Sequence, residues 1–170
     1  MKRIDDWHAK NAMQTAIIDG KELVTYKQLE ERVQERAKIL AGIPQKVILA
    51  PMSNDLDQLI NFLALIRAEK VAVPVNAGYS DQGLRDILNQ FEAPLVLTDI
   101  HTISEKAAVP LDSAEYASPS DLAFIGFTSG TTGQPKGYRR THQSWVKSFE
   151  GTNGLIRQSS NQSATVFGSM

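Results

Sequence analysis

Thr128-Ser129-Gly130-Thr131-Thr132-Gly133-Gln134-Pro135-Lys136-Gly137 gathers three glycines, four hydroxyl side chains, one proline and one lysine into ten residues. Glycines let a backbone turn with positive φ and bring its N–H groups up to an anion without a Cβ in the way. The hydroxyls add neutral donors and Lys136 adds a mobile positive charge, a set suited to a polyphosphate whose charge shifts during reaction. A plain surface turn uses the same residue types. Placement separates the two: the run directly follows Leu122 to Phe127 (LAFIGF), which reads as a buried strand, and ligands of α/β sheets collect beyond the carboxyl ends of strands.

Two other phosphate-binding patterns fail. In G-x-x-x-x-G-K-[ST], counted from Gly130, Pro135 stands where the second glycine belongs and Gly137 where a hydroxyl should follow the lysine. Gly126, Gly130 and Gly133 do not match the G-x-G-x-x-G spacing of dinucleotide sites either. Elsewhere the chain offers little chemistry. His8, His101 and His142 lie far apart, so no local metal motif is expected. His142 at a helix start could touch nucleotide or substrate, although a structural role is the commoner fate of such a residue. No carboxylate dyad is suggested, and Trp7, Tyr79 and Trp145 read as packing residues.

Eighteen Lys and Arg against nineteen Asp and Glu leave a net charge of -1, which gives no electrostatic reason to expect nucleic acid as a partner. The absence of cysteine excludes a disulfide scaffold and a thiolate metal site in this segment and suits the cytoplasm. The amino-terminal MKRIDDWHAK lacks a continuous apolar run, and no stretch is long enough for a transmembrane segment.

The positioning elements follow from periodicity. Asp19-Gly20 reads as the turn of a hairpin joining Thr15 to Ile18 and Glu22 to Thr25. Thr25 with Gln28 forms a capping-box pattern for a helix that turns Leu29, Val33, Ala37 and Leu40 inward and ends at Gly42 and Pro44. Lys46 to Ala50 is a strand; Ser53 or Asn54 caps a helix with Leu56, Leu59, Ile60, Leu63 and Ile66 inward. Val71 to Val75 is a strand, Ser80 starts a helix with Leu84, Ile87, Leu88 and Phe91 on one side, and Leu95 to Thr98 is a further strand. This alternation predicts an α/β fold with a mainly parallel sheet and flanking helices. The polar stretch between Asp99 and Asp121 reads as a connection, dividing the chain into residues 1–100, a connecting segment 101–121, and residues 122–170. Within the last part Thr141 caps a helix from His142 to about Phe149, and Ser163 to Phe167 begins another strand.

TSGTTGQPKG resembles the phosphate-binding signature of the adenylate-forming enzymes: acyl-CoA synthetases, adenylation domains of nonribosomal peptide synthetases, and luciferases. Leu23 to Arg32 (LVTYKQLEER) and Arg67 to Leu88 (RAEKVAVPVNAGYSDQGLRDIL) resemble two further segments of that family. The second departs from the pattern, since Glu69-Lys70 sits where a glycine is common. Tyr138-Arg139-Arg140-Thr141-His142 also departs, from a short apolar continuation. Its two arginines either add phosphate affinity or form a solvated face, the usual fate of a basic pair.

The resemblance implies the large N-terminal domain of such an enzyme, acyl-CoA synthetase type, with ATP, Mg²⁺ and coenzyme A as cofactors and a small carboxylic acid as partner. Thr128, Ser129, Gly130, Thr131, Thr132 and Gly133 would cradle phosphate, and Lys136 would neutralise its charge. The family's adenine-binding segment, its Mg²⁺-holding acidic residue, its ribose-binding aspartate and its catalytic lysine lie downstream of the loop. None occurs between Gly137 and Met170, so the chain is expected to be a fragment that is inactive alone, with unknown catalytic and metal-ligating residues. Coenzyme A is the expected acceptor, since no carrier-protein segment is seen, and a fatty acid is the expected substrate, although the pocket walls that select the acid lie downstream in this family. An amino-acid or aryl-acid adenylation domain serving a carrier protein, and a non-enzymatic phosphate-binding module, are the alternatives.

Overall fold

Gly20, at φ 75°, supplies the left-handed residue of the first turn. It lets β1 (Thr15–Ile18) pair antiparallel with β2 (Leu23–Thr25). In the computed structural model, which describes residues 11–20, 22–53, 55–76, 78–90, 95–96, 121–128 and 136–156, the chain passes from β2 straight into helix α1 (Tyr26–Ala41). Its capping box forms as the sequence predicts: Gln28 N–H donates to Thr25 Oγ1 (3.2 Å) while Thr25 N–H donates to Gln28 Oε1 (2.9 Å). Leu29, Val33, Ala37 and Leu40 are its buried residues, as the 3.6-residue period requires.

Strand β3 (Val47–Met52) leads to helix α2 (Leu56–Arg67), strand β4 (Val71–Asn76), helix α3 (Asp81–Leu88) and strand β5 (Leu95–Val96). Two details of α2 differ from expectation. Asp55, rather than Ser53 or Asn54, is the N-cap, its carboxylate accepting from Asp57 N–H at 2.8 Å; the Ser53 N–H donates instead to the Gln58 side chain. The buried set is Ile60, Ala64, Leu65 and Ile66, with Leu56, Leu59 and Leu63 half-buried. Because α2 packs against α1 as well as β3 and β4, its covered stripe is wider than a single-sided face. Ser80 caps α3 as expected, accepting from Gly83 N–H at 3.2 Å.

The sheet runs β5-β3-β4-β6-β7, where β6 is Leu122–Thr128 and β7 is Lys136–Thr141. β3 pairs parallel with β4 and β5, and β4 pairs parallel with β6 through Ala72 and Phe124. Alternate residues feed two cores. Ile48, Ala50, Ala72 and half-buried Phe124 face α1 and α2; Leu49, Val71, Val73, Val75 and Ile125 face Ile87 of α3. Helices on both faces explain why these strands are nearly continuous apolar runs.

β7 was not foreseen. It pairs antiparallel with β6, so the sheet is mixed and the segment after Gly137 is a strand before it is a helix. The expected helix does follow, as α4 (His142–Ile156), with Ser144 N–H donating to Thr141 Oγ1 at 3.1 Å. Phe91, Thr98, most of the 101–121 connection and Ser163 to Phe167 lie outside the described residues.

Glu69 has φ 56°, the left-handed region, within the Glu69-Lys70 pair that sits where a glycine is common in the family pattern. Side chains tie this corner down: Lys46 Nζ donates to the Glu69 carbonyl, and Lys70 Nζ donates to the Ile43 carbonyl. Lys70 is only 8% exposed; its burial, and secondarily the nearby Lys46 charge, lower its ammonium pKa. A left-handed non-glycine residue costs about 1–2 kcal/mol, and glycine gives back about 0.4–1 kcal/mol through the unfolded chain. Glu69→Gly is therefore expected to stabilise the protein by roughly 0.5–1 kcal/mol, measured as a higher urea midpoint with unchanged slope. A lower midpoint would show that the Glu69 side chain contributes more than its backbone costs.

Candidate phosphate-binding hairpin

The glycine- and hydroxyl-rich run is the closing loop of the β6–β7 hairpin. Thr128, the last residue of β6, is the pairing partner of Lys136, the first residue of β7. Residues 129–135, and with them Ser129, Gly130, Thr131, Thr132 and Gly133, lie outside the described residues. The structure thus places the two ends of the expected site side by side and does not describe its middle.

Because β6 is parallel to β4 and β3, the loop leaves the sheet at the carboxyl edge of the parallel strands. Lys136 is exposed there. A cation at the carboxyl edge of the sheet, next in sequence to a run holding Gly130 and Gly133, suits a polyphosphate. Among the described residues no group of three or more His, Cys, Asp or Glu could hold a metal ion.

Two glycines meet two aromatic rings across the hairpin. Gly126 pairs with Tyr138 and Phe127 with Gly137. A Cβ on Gly126 would lie 2.3 Å from Tyr138 Cζ, and one on Gly137 would lie 3.2 Å from Phe127 Cε1. Tyr138 lies on the Phe124 face, their ring centroids 6.4 Å apart at 79°, and Phe127 packs with the opposite core. The sequence carried this signal, since Gly126-Phe127-Thr128 and Lys136-Gly137-Tyr138 set a glycine opposite an aromatic ring twice when aligned antiparallel. The alignment becomes apparent only with β7 as a strand beside β6.

The basic pair divides. Arg140 turns back toward α4, donating from Nη2 to the Ser144 carbonyl at 3.0 Å, while Arg139 is exposed on the other side of the strand. Trp145 proves to be a packing residue, with Phe124 at 5.4 Å, Phe62 at 5.7 Å and Phe149 at 5.5 Å between centroids. Tyr79 packs against the α3-side core; Trp7 is not among the described residues. His142 stands at the far end of β7, about 20 Å along the strand from Lys136. Its backbone N–H donates to the Asp121 carbonyl at 3.0 Å. This favours the structural role over contact with phosphate.

The family described as AMP-binding enzyme matches residues 4–168. A putative long chain fatty acid-CoA ligase, VraA of Staphylococcus aureus (strain COL), is 31% identical over 142 residues, covering 82% of this chain and 31% of that protein. Tyrocidine synthase 2 of Brevibacillus parabrevis is 30% identical over 147 residues, covering 76% of this chain and 4% of the synthase. The chain therefore spans less than a third of the length of these relatives. Among solved structures, O-succinylbenzoate coenzyme A synthetase of Bacillus subtilis in complex with AMP has a TM-score of 0.78 at 19% identity, covering 92% of this chain and 46% of that one. The N-terminal subdomain of Klebsiella oxytoca NpsA has a TM-score of 0.66 at 24% identity, with 82% and 41% covered. Both confirm the α/β fold.

His142 gives the region a pH dependence. Its Nε2 is buried without a hydrogen-bond partner among the described residues. Burial pushes the imidazole below its ordinary 6.5, partly opposed by Asp121 and Glu69. Below pH 6.5 the unfolded chain takes up a proton that the folded imidazole refuses, so the contribution is complete above that pH and is lost as pH falls toward the folded value. The urea midpoint is expected to drop between pH 7.5 and pH 5, and less so in His142→Gln. Equal drops in both proteins would assign the pH dependence to other groups.

Proposed function

This chain belongs to the AMP-binding enzyme family, and we propose that its β6–β7 hairpin grips the β- and γ-phosphates of ATP in an adenylate-forming ligase. The observation that supports the reading is the pairing of Thr128 with Lys136 at the carboxyl edge of the parallel strands, which sets the two ends of TSGTTGQPK side by side there. Backbone N–H groups and hydroxyls of Thr128, Ser129, Gly130, Thr131, Thr132 and Gly133 hold phosphate oxygens, and the Lys136 ammonium neutralises them. A carboxylate oxygen of the acid attacks the α-phosphorus, the bond to the β-phosphate oxygen breaks, and pyrophosphate departs with its negative charge held at the loop. Mg²⁺ would share that charge.

The finer assignment is an acyl-CoA synthetase of the AMP-forming, acid-thiol ligase class. It activates a fatty acid in the cytoplasm and passes the acyl group to coenzyme A, whose thiol sulfur attacks the acyl carbon as AMP leaves. The likeness to a putative long chain fatty acid-CoA ligase across 82% of this chain supports it. The second reading, an amino-acid or aryl-acid adenylation domain serving a carrier protein, is favoured by the likeness to tyrocidine synthase 2 and to NpsA, whose subdomain is known in complex with 3-hydroxyanthranilyl-AMSN.

The test uses the full-length protein with Mg²⁺ and ATP against fatty, aryl and amino acids, following pyrophosphate release with and without coenzyme A. Release with fatty acids, followed by thioester formation, supports the first assignment. Release confined to amino or aryl acids without thioester formation supports the second, and ATP binding with no acid-dependent release makes the chain a phosphate-binding module. Lys136→Ala is expected to slow adenylation about 100-fold, the magnitude of removing one preorganised electrostatic contact. An unchanged rate would remove the lysine from the mechanism.

A further inference from the structure

β7 lacks what usually sets the register of a strand. Lys136, Gly137, Tyr138 and Arg139 are all exposed, so no buried apolar row holds the strand to one alignment. Yet its pairing must place Lys136 at the base of the loop. Tyr138 is 46% exposed, but its ring lies flat enough on β6 that a Cβ on Gly126 would stand 2.3 Å from Cζ, 2.4 Å from Oη and 2.7 Å from Cε1. A β-carbon there would displace the ring.

We propose that Tyr138 is a positioning residue for the loop: its ring, seated in the cleft at Gly126 and matched by Phe127 over Gly137, holds Lys136 opposite Thr128. A slip of one residue moves Tyr138 to the other face and Phe127 off Gly137. A slip of two sets the tyrosine opposite Phe124 or Thr128, where a β-carbon already stands. Only the observed register fills both glycine clefts, one on each face of the sheet, and aromatic rings over cross-strand glycines are a known way to restore packing that glycine lacks. The Phe124 ring beside Tyr138, itself set against Phe62 at 6.0 Å and Trp145 at 5.4 Å, backs the lock with a packed wall. Tyr138 also opens the stretch, Tyr138 to His142, that departs from the short apolar continuation of the family pattern.

The functional half of this inference rests on the phosphate-binding reading, and the test separates the two. In the full-length protein, hydrogen exchange at the β6 and β7 amides that bond across the ladder reports register without reference to activity, and KM and kcat for ATP report the loop. Tyr138→Ala and, from the opposite strand, Gly126→Ala are each expected to speed exchange at those amides. Each should also raise KM for ATP on the order of ten-fold, with KM for the acid little changed. Tyr138→Phe keeps the ring and is expected to behave like the unmodified protein. In Gly126→Val with Tyr138→Val the filler comes from the other strand and should restore slow exchange. Unchanged exchange and KM in Tyr138→Ala, or a Tyr138→Phe as damaging as Tyr138→Ala, would overturn the proposal. Fast exchange in Tyr138→Ala, with no ATP-dependent activity in the unmodified protein, would uphold the lock and remove the phosphate reading.

Discussion

The pairing of β6 with β7 is the constraint on which the candidate site depends, and two aromatic rings set across two glycines hold it. Cross-strand pairs of this kind contribute about 0.2–1 kcal/mol each, too little to fold a domain but enough to choose among registers of one hairpin. Choosing the register decides what stands at the mouth. With Tyr138 on Gly126 and Phe127 on Gly137, Thr128 and Lys136 close the ladder, and the loop springs from a fixed base.

That base is only as firm as β6. It sits between β4 and β7, tied to β4 through Ala72 and Phe124, and has its Ile125 and Phe127 in one core and its Phe124 in the other. Both cores are built from β3 and β4, whose alternate residues meet α1 and α2 on one face and α3 on the other. The strand that presents the loop is thus clamped from both sides, while β7 is mostly exposed. Strain is placed away from this edge: left-handed Glu69 and buried Lys70 lie just before β4, at the amino end of the parallel strands.

Much of this was legible in the residues, and the exceptions share a cause. Thr25 with Gln28, Ser80, Gly20 and the apolar stripe from Leu29 to Leu40 act locally, so their patterns determine their structure. The Glu69 departure from glycine was visible as an oddity and became meaningful once its φ was known. The Asp55 cap and the burial of Ala64 and Leu65 depend on how α2 sits against α1, which no local period reveals. β7 escaped notice because Lys-Gly-Tyr-Arg-Arg-Thr has neither the apolar run of a central strand nor the alternation of a half-buried one. Its identity as a strand comes from its partner. The loop's proposed chemistry rests on composition and place; its ends are located and its middle lies outside the described residues.

The central claim is that this hairpin holds the phosphates of ATP. The most direct measurement is a crystal structure of the full-length protein with Mg²⁺ and a non-hydrolysable ATP analogue. The expected result has β- and γ-phosphate oxygens within hydrogen-bonding distance of the backbone N–H groups of residues 129–133 and of Lys136 Nζ, with Thr128 still opposite Lys136. A nucleotide whose phosphates lie elsewhere, leaving the hairpin loop in solvent, would contradict it.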